Sequence, residues 1–231
     1  MVKLFNLGCT GNSGRSPVGQ LIANNRLEEL GISAQYGAIS SGTLVDQINS
    51  GKPSRARMLE VIGQARERGD IYSVAGTREI DDAVGAGDDG TLRSFYDIAI
   101  QTFVREEERY RRRVLPQMGI RGNLKTTRDQ LAARPDVIGV LTMAPFNNKQ
   151  AVGIHQAAGY ELVQERSGIW QRFQKLGSES PLIAVISAYA RDDPTAEVPN
   201  AFGGTEDAYR TGIETLMRDV PIAIDRLLRT Q

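Results

Sequence analysis

The sequence contains near its N-terminus the stretch Gly8-Cys9-Thr10-Gly11-Asn12-Ser13-Gly14-Arg15-Ser16-Pro17. An apolar run, Leu4-Phe5 with Leu7, precedes it and predicts a buried strand that ends near the only cysteine of the protein. The Ser-Pro pair predicts the start of a helix, because serine caps helix N-termini and proline fits the first turn. A strand that enters a helix through a glycine-containing loop predicts an anion site at the end of the strand.

The spacing of Cys9 and Arg15 predicts a nucleophile inside this anion site. Gly11 and Gly14 permit left-handed backbone, so that successive peptide N–H groups can turn inward. A helix N-terminus and a guanidinium stabilise a thiolate, and a thiolate below a bound phosphate is placed to attack phosphorus. The alternative is that Cys9 is a small buried apolar residue and Arg15 a surface charge. The glycines and the Ser-Pro pair favour the functional interpretation.

Residues 9–17 resemble the phosphate loop of the low-molecular-weight protein tyrosine phosphatases, a family that includes thioredoxin-coupled arsenate reductases. Two later segments resemble the next landmarks of that family in the same order: Ile39-Ser40-Ser41-Gly42-Thr43 and Val198-Pro199-Asn200-Ala201-Phe202-Gly203-Gly204. The resemblance covers about residues 1–71 and 123–231. It implies one α/β domain over residues 1–231, with a four-stranded parallel sheet of order 2-1-3-4 flanked by helices.

Residues 72–122 have no counterpart in this resemblance and are predicted to be a largely helical insertion within the domain. Residues 72–90 are rich in Gly and Asp without a sustained period, which predicts a long loop. Apolar residues from Leu92 to Val114 keep to one face of a long helix predicted over about 91–118. The insertion is interpreted as a lid over the site, an oligomer interface or a packed addition.

Two smaller patterns elsewhere also predict helical structure. Trp170 and Phe173 occur at helical spacing and favour a core position. A closing helix is predicted over about 205–229, with a kink or a break at Pro221. The only histidine, His155, falls in a predicted helix and is given no role.

The resemblance also implies roles for single residues. Cys9 would be the nucleophile, Arg15 would bind the equatorial oxygens, and Ser16 would donate a hydrogen bond to the thiolate. Asn12 would hold the loop in a strained turn, because asparagine tolerates a left-handed backbone better than most residues. Ser40 would reach Asn12 and support it. The residues implied to bind phosphate are Thr10, Gly11, Asn12, Ser13, Gly14, Arg15 and Ser16. No metal and no cofactor are implied, because the protein itself supplies the cation.

The general acid of the family is missing from its usual place. The aspartate that protonates the leaving oxygen in the family aligns with Asn200, which cannot titrate near neutral pH, and loss of such an acid costs about 10²–10⁴-fold. Asp193, or less favourably Asp192, can supply the proton instead, although a polar turn beside Pro194 explains both equally well. Slow turnover of good leaving groups and binding without turnover remain open. Phe202 would form one wall of a slot for a phenyl ring.

The charge balance, the single cysteine and the lack of targeting patterns restrict the expected partners and location of the protein. Acidic and basic residues number 28 each, so the charge balance predicts neither nucleic acid nor a membrane surface as a partner. One cysteine excludes an intramolecular disulfide and favours a reducing compartment. The sequence has no signal-peptide pattern and no membrane span, and a cytoplasmic location is therefore expected. The oligomeric state is left open.

The leading hypothesis is a cysteine-dependent phosphatase that hydrolyses phosphotyrosine or other aryl phosphomonoesters through a phosphocysteine. Its expected partner is a phosphorylated protein or a small aryl phosphate. One alternative is a catalytically impaired protein that binds phosphate or phosphotyrosine. Another is an arsenate reductase that is resolved by an external thiol. The intramolecular reductase is excluded, because it needs two further cysteines.

Overall fold

The computed structural model describes residues 2–51, 53–69, 74–120, 122, 124 and 129–230. The chain divides into two compact units. The first, called the sheet unit, contains Met1–Asn49, Ile120–Pro199 and Arg210–Gln231. The second, called the helical unit, contains Ser50–Gly119 and Asn200–Tyr209. Whether residues 72–122 form an insertion within one phosphatase-like domain stays a prediction.

The sheet unit contains a six-stranded sheet of order β2-β1-β3-β6-β5-β4. The first four strands in this order are parallel, whereas β5 pairs antiparallel with both β6 and β4. The strand bounds are β1 (Lys3–Cys9), β2 (Tyr36–Gly42), β3 (Val137–Thr142), β4 (Glu161–Arg166), β5 (Trp170–Gln174) and β6 (Leu182–Val185). The sheet is therefore mixed, and the prediction of a purely parallel four-stranded sheet was wrong in this respect.

The two additional strands form a hairpin between residues 161 and 174. Trp170 and Phe173 lie on β5, not on a helix, and Trp170 is paired with Ala184 of β6. Gly168 adopts φ 71° in the turn that joins β4 to β5, a conformation that glycine reaches without steric cost. The turn signal was the Ser-Gly pair at 167–168, and a spacing of three residues between two aromatics was too short to establish a helical period.

Among the described residues, five helices contribute to the sheet unit. They are α1 (Arg15–Glu29), α2 (Val45–Asn49), α6 (Pro145–Ala157), α7 (Ile186–Arg191) and α8 (Glu206–Leu228), of which α8 begins within the helical unit. Helix α8 continues through Pro221, so the break predicted there does not occur. No helix among the residues described has the length and apolarity needed to cross a bilayer.

The helical unit contains α3 (Arg55–Arg68), α4 (Val74–Ala86) and α5 (Asp89–Gln117). Helix α5 confirms the long helix predicted over 91–118, and its N-terminus is capped by the Asp88 carboxylate. The loop predicted over 72–90 was wrong for residues 74–86, which form α4, and residues 72 and 73 lie outside the described part of the chain. Ile80 and Ala83 of α4 are buried against Met58 and Leu92. Tertiary packing therefore stabilises a helix that the glycine-rich sequence does not predict.

The packing of the sheet unit determines at which edge of the sheet a ligand can bind. Phe5 and Leu7 of β1 are fully buried, as β1 lies between β2 and β3 in the middle of the parallel strands. Ala151 of α6 and Tyr160 pack with Val140 of β3 in one apolar cluster. The carboxyl ends of β1, β2 and β3 therefore meet at one edge of the sheet, which is where parallel α/β sheets bind ligands.

Candidate active site

Cys9 is the last residue of β1, and the loop after it leads directly into α1. Its side chain is only 5% exposed and is a free thiol. Gly14 stands at the N-cap of α1, and no side chain caps this helix. The Ser-Pro pattern predicted that Ser16 caps the helix. Ser16 instead lies inside the first turn of α1. The uncapped N-terminus of a 15-residue helix thus begins six residues after the cysteine.

Ser16 connects the cysteine to the rest of the loop. Its Oγ lies 2.9 Å from Cys9 Sγ and 2.9 Å from Asn12 Oδ1. A hydroxyl has one proton to donate, so Ser16 can donate either to the sulfur or to the asparagine at a given moment. When Cys9 is a thiolate the sulfur is an acceptor only, and the Ser16 proton then serves it.

Asn12 holds the turn of the loop. Its φ of 50° confirms the left-handed backbone predicted for this residue, and its side chain is fully buried. Asn12 Nδ2 donates to the backbone carbonyl of Ser40, at 3.2 Å. Ser40 thus contacts Asn12 through its main chain, and the buried Ser40 hydroxyl has no hydrogen-bond partner among the described residues.

The turn after β2 fixes the direction of the peptide groups in the loop. Thr43 N–H donates to the Cys9 carbonyl at 2.8 Å, and Leu44 N–H donates to the Thr10 carbonyl at 3.0 Å. In a trans peptide the N–H points opposite to the C=O. The N–H groups of Thr10 and Gly11 therefore point away from the turn after β2, as an anion-binding loop requires.

Arg15, the first residue of α1, is half-buried and is not a free surface charge. Its Nη1 donates to the Val198 carbonyl at 2.8 Å. Val198 is itself buried and donates its N–H to the Met143 carbonyl at 2.9 Å. This hydrogen bond anchors the guanidinium through Nη1, and the planar fork of a guanidinium is suited to bind two oxygens of an anion.

Asn147 is a site residue that the sequence did not reveal. It lies in the first turn of α6 and is 1% exposed. Its Nδ2 donates to Thr10 Oγ1 at 3.1 Å and to Thr43 Oγ1 at 3.2 Å. The start of α6 therefore contacts both the loop after β1 and the turn after β2.

The two aspartates considered as general acids are both engaged in other contacts. Asp193 Oδ1 accepts from the Thr195 hydroxyl at 2.7 Å and from the Thr195 N–H at 2.9 Å. These two hydrogen bonds, the hydroxyl first, hold the pKa of Asp193 below its usual range. Asp192 has left-handed backbone and forms ion pairs with Arg166 at 2.7 Å and Arg226 at 3.6 Å.

Asn200 and Phe202 belong to the helical unit. The exposed Asn200 accepts from the Phe202 N–H through its Oδ1 at 3.4 Å. The Phe202 ring packs edge-to-face on Phe103 of α5, with the ring centroids 5.6 Å apart. A role for Phe202 in a substrate slot and for Asn200 near the reacting groups stays a prediction.

Comparison with solved structures places this arrangement among known folds. A structure of a YwlE mutant from Bacillus subtilis is 13% identical and has a TM-score of 0.51, with 98% of this chain and 99% of that chain covered. A low-molecular-weight phosphotyrosine phosphatase from Vibrio cholerae is also 13% identical, with a TM-score of 0.51 and coverages of 99% and 98%. The YwlE arginine phosphatase from Geobacillus stearothermophilus is 14% identical, with a TM-score of 0.50 and coverages of 99% and 95%.

The chain has the fold of the low-molecular-weight protein tyrosine phosphatases. No family model matches the sequence, and no curated protein matches it. The likeness to this phosphatase fold thus lies in the three-dimensional arrangement, at identities where it establishes the fold alone. The shared fold agrees with the resemblance of residues 9–17 to the phosphate loop of this family. These residues lie at the end of β1 and the start of α1.

Within this phosphatase fold, the described residues contain no group of three or more His, Cys, Asp and Glu side chains able to hold a metal ion. His155 lies on α6 and is fully buried. Its Nδ1 lies 2.9 Å from the Ala151 carbonyl, and its ring packs against Tyr160. His155 is thus a core residue.

Proposed function

We propose that this protein is a cysteine-dependent phosphatase that hydrolyses phosphotyrosine or other aryl phosphomonoesters. The observation that carries the proposal is the position of the Cys9 sulfur at the end of β1, 2.9 Å from Ser16 Oγ and before the uncapped start of α1. A thiolate is stabilised there by the helix N-terminus and by a hydroxyl donor. The same N-terminus, with Arg15, attracts the phosphate dianion.

Two displacements at phosphorus complete the reaction. The Cys9 thiolate attacks phosphorus, the S–P bond forms, and the P–O bond to the aryl group breaks with its electron pair leaving on the phenolate oxygen. Water then attacks phosphorus and its protons leave with the phosphate product. The P–S bond breaks with its electron pair on sulfur, and Ser16 donates a hydrogen bond to the resulting thiolate. The amides of residues 10–15 and the Arg15 guanidinium stabilise the charge on the equatorial oxygens in both steps.

The supply of a proton to the leaving group limits the range of substrates. Asn200 has no proton to give near neutral pH, and the carboxylate of Asp193 is held by Thr195 with a lowered pKa. Asp193 remains the proposed donor, and it has to leave the Thr195 turn to act. A phenolate departs more readily than an alkoxide without such help, so we expect aryl phosphates to be far better substrates than alkyl phosphates.

The proposal is tested by hydrolysis of an aryl phosphate by the wild type, Cys9→Ser and Arg15→Lys. We expect turnover by the wild type, none by Cys9→Ser, and a loss of about 10²–10³-fold in Arg15→Lys, which keeps the charge but removes the planar fork. Phosphate binding without turnover would instead support an impaired binding protein, and thiol-dependent formation of arsenite a reductase. Because solved structures of this fold include arginine phosphatases, a phosphoarginine substrate belongs in the same assay.

A further inference from the structure

We propose that Asn147 is a positioning residue that orients the Thr10 hydroxyl as a hydrogen-bond donor to the bound phosphoryl group. The inference rests on the proposed phosphatase function; it adds Asn147 to the same site and gives a role to the side chain of Thr10. The starting observation is a hydrogen bond between Asn147 and Thr10, which are 137 positions apart in the sequence.

Asn147 connects three strands at their carboxyl ends. Thr10 directly follows β1, Thr43 directly follows β2, and Asn147 lies in the helix that follows β3. The asparagine side chain is 1% exposed and Thr43 is 4% exposed, so solvent competes little for these hydrogen bonds. A buried amide that reaches two loop hydroxyls fixes the side chains of both loops relative to the sheet.

The number of protons on the asparagine amide determines which atom donates and which accepts in this hydrogen bond. The Nδ2 of an asparagine carries two N–H donors and accepts nothing. One donor goes to Thr10 Oγ1 at 3.1 Å and the other to Thr43 Oγ1 at 3.2 Å. Thr10 Oγ1 is therefore the acceptor in this pair, and its own proton remains available to another acceptor.

The position of Thr10 determines which acceptor is near. Thr10 is the residue after the nucleophile Cys9, its side chain is half-exposed, and its carbonyl is already bound by Leu44 N–H. A phosphoryl group attacked by Cys9 places oxygens beside this residue. A hydroxyl that donates to such a charged oxygen forms a stronger bond than one between neutral groups. Asn147 would thus act through Thr10 without contacting the substrate.

The matched control is the next residue on the same helix. Asn148 is half-buried, and its Oδ1 accepts from Thr142 Oγ1 at 3.3 Å. Asn148→Ala removes a similar amide from the same turn of α6, and we expect the kcat of this variant to stay within about twofold of the wild type. Thr10→Ser keeps the hydroxyl and should retain most of the activity, whereas Thr10→Val removes it.

The experiment measures kcat and KM for an aryl phosphate and the affinity for inorganic phosphate in these variants. We expect Asn147→Ala and Thr10→Val each to lower kcat and phosphate affinity by about 10-fold. The double variant should be no worse than either single one, because both remove the same hydrogen bond to the phosphoryl group. Asn147→Asp, which keeps the shape but accepts from the Thr10 hydroxyl, should lose more than Asn147→Ala.

The results separate this inference from the proposed function. A wild type that neither hydrolyses aryl phosphates nor binds phosphate contradicts both. A wild type that binds phosphate without turnover still tests the inference through the phosphate affinity. With an active wild type, equal kcat in Asn147→Ala and Asn148→Ala, or additive losses in the double variant, overturns the inference alone. If Asn147→Ala does not fold, Asn147→Asp, which keeps the shape, takes its place, and a kcat and a phosphate affinity equal to those of the wild type in that variant overturn the inference.

Discussion

The side-chain oxygen of Ser16 lies 2.9 Å from the sulfur of Cys9, and both side chains are buried. Ser16→Ala removes this hydrogen bond from the thiolate, both as nucleophile and as leaving group in the second step. A hydrogen bond to a charged group is worth about 1.5–3 kcal/mol, so we expect kcat to fall by about 10- to 100-fold. The measurement is steady-state hydrolysis of an aryl phosphate at several pH values.

The control for Ser16→Ala is Ser187→Ala. Ser187 on α7 is fully buried, and its hydroxyl has no hydrogen-bond partner among the described residues. Its removal should leave kcat unchanged and the free energy of unfolding equal or higher, because an unpaired buried hydroxyl is costly. Equal losses of kcat in the two variants would show that Ser16 has no special relation to the thiolate.

Gly42 allows β2 to lie directly against the loop after Cys9. A Cβ at Gly42 would lie 2.8 Å from the Thr10 carbonyl oxygen and 2.9 Å from the Asn12 backbone nitrogen. Gly42→Ala should therefore displace the loop and abolish phosphate binding, as measured by calorimetry. Gly63→Ala on α3 meets nothing within 4 Å and should bind phosphate like the wild type. Normal phosphate affinity in Gly42→Ala would contradict the close packing of β2 and the loop.

The Thr195 hydroxyl lowers the pKa of Asp193 and holds its carboxylate in a turn. Only a protonated Asp193 can donate, so any contribution it makes should fall as the pH rises through this lowered pKa. We expect Asp193→Asn to reduce the rate on alkyl phosphates more than the rate on aryl phosphates. Rates measured over a series of leaving groups test this, and the same loss for every leaving group would remove Asp193 as the donor.

The single histidine makes the stability of the protein depend on pH. Burial lowers the pKa of His155 below its usual value of about 6.5, so the unfolded chain binds a proton more readily than the folded one. The free energy of unfolding should therefore fall as the pH drops below about 6.5, by at most about 1.4 kcal/mol per pH unit. Denaturant unfolding of the wild type between pH 5.5 and 7.5 should show this slope.

The variant His155→Phe isolates the contribution of this histidine. Phenylalanine keeps an aromatic ring against Tyr160 and has no proton to bind, so its stability should change little over the same pH range. An unchanged slope in His155→Phe would assign the pH dependence to carboxylates instead.

The sequence predicted the parts of the site that are local in the chain. Cys9, Asn12 and Ser16 lie within eight residues, and their order along a strand, a turn and a helix determines that their side chains meet. The left-handed backbone at Asn12 was predicted for the same reason, because it depends on a single residue type in a tight turn. The strand on which Cys9 ends and the helix that Arg15 begins were both visible in the apolar pattern.

The contacts that depend on tertiary structure could not be predicted in this way. Asn147 has no sequence signal that connects it to Thr10, since only the parallel order of β1 and β3 brings them together. Helix α4 forms because Ile80 and Ala83 find apolar partners on neighbouring helices. The Ser-Gly pair at 167–168 marks the turn of the hairpin of β4 and β5 in the sequence, but the pairing of β5 with β6 appears only in the folded chain.

The central claim is that the Cys9 sulfur carries the phosphoryl group during turnover. The most direct measurement is acid quenching during hydrolysis of an aryl phosphate, followed by mass spectrometry of the intact protein and of the peptide that contains Cys9. We predict a mass increase of one phosphoryl group on Cys9 in the wild type. Turnover without any phosphoryl group on Cys9, or undiminished turnover by Cys9→Ser, would contradict the account.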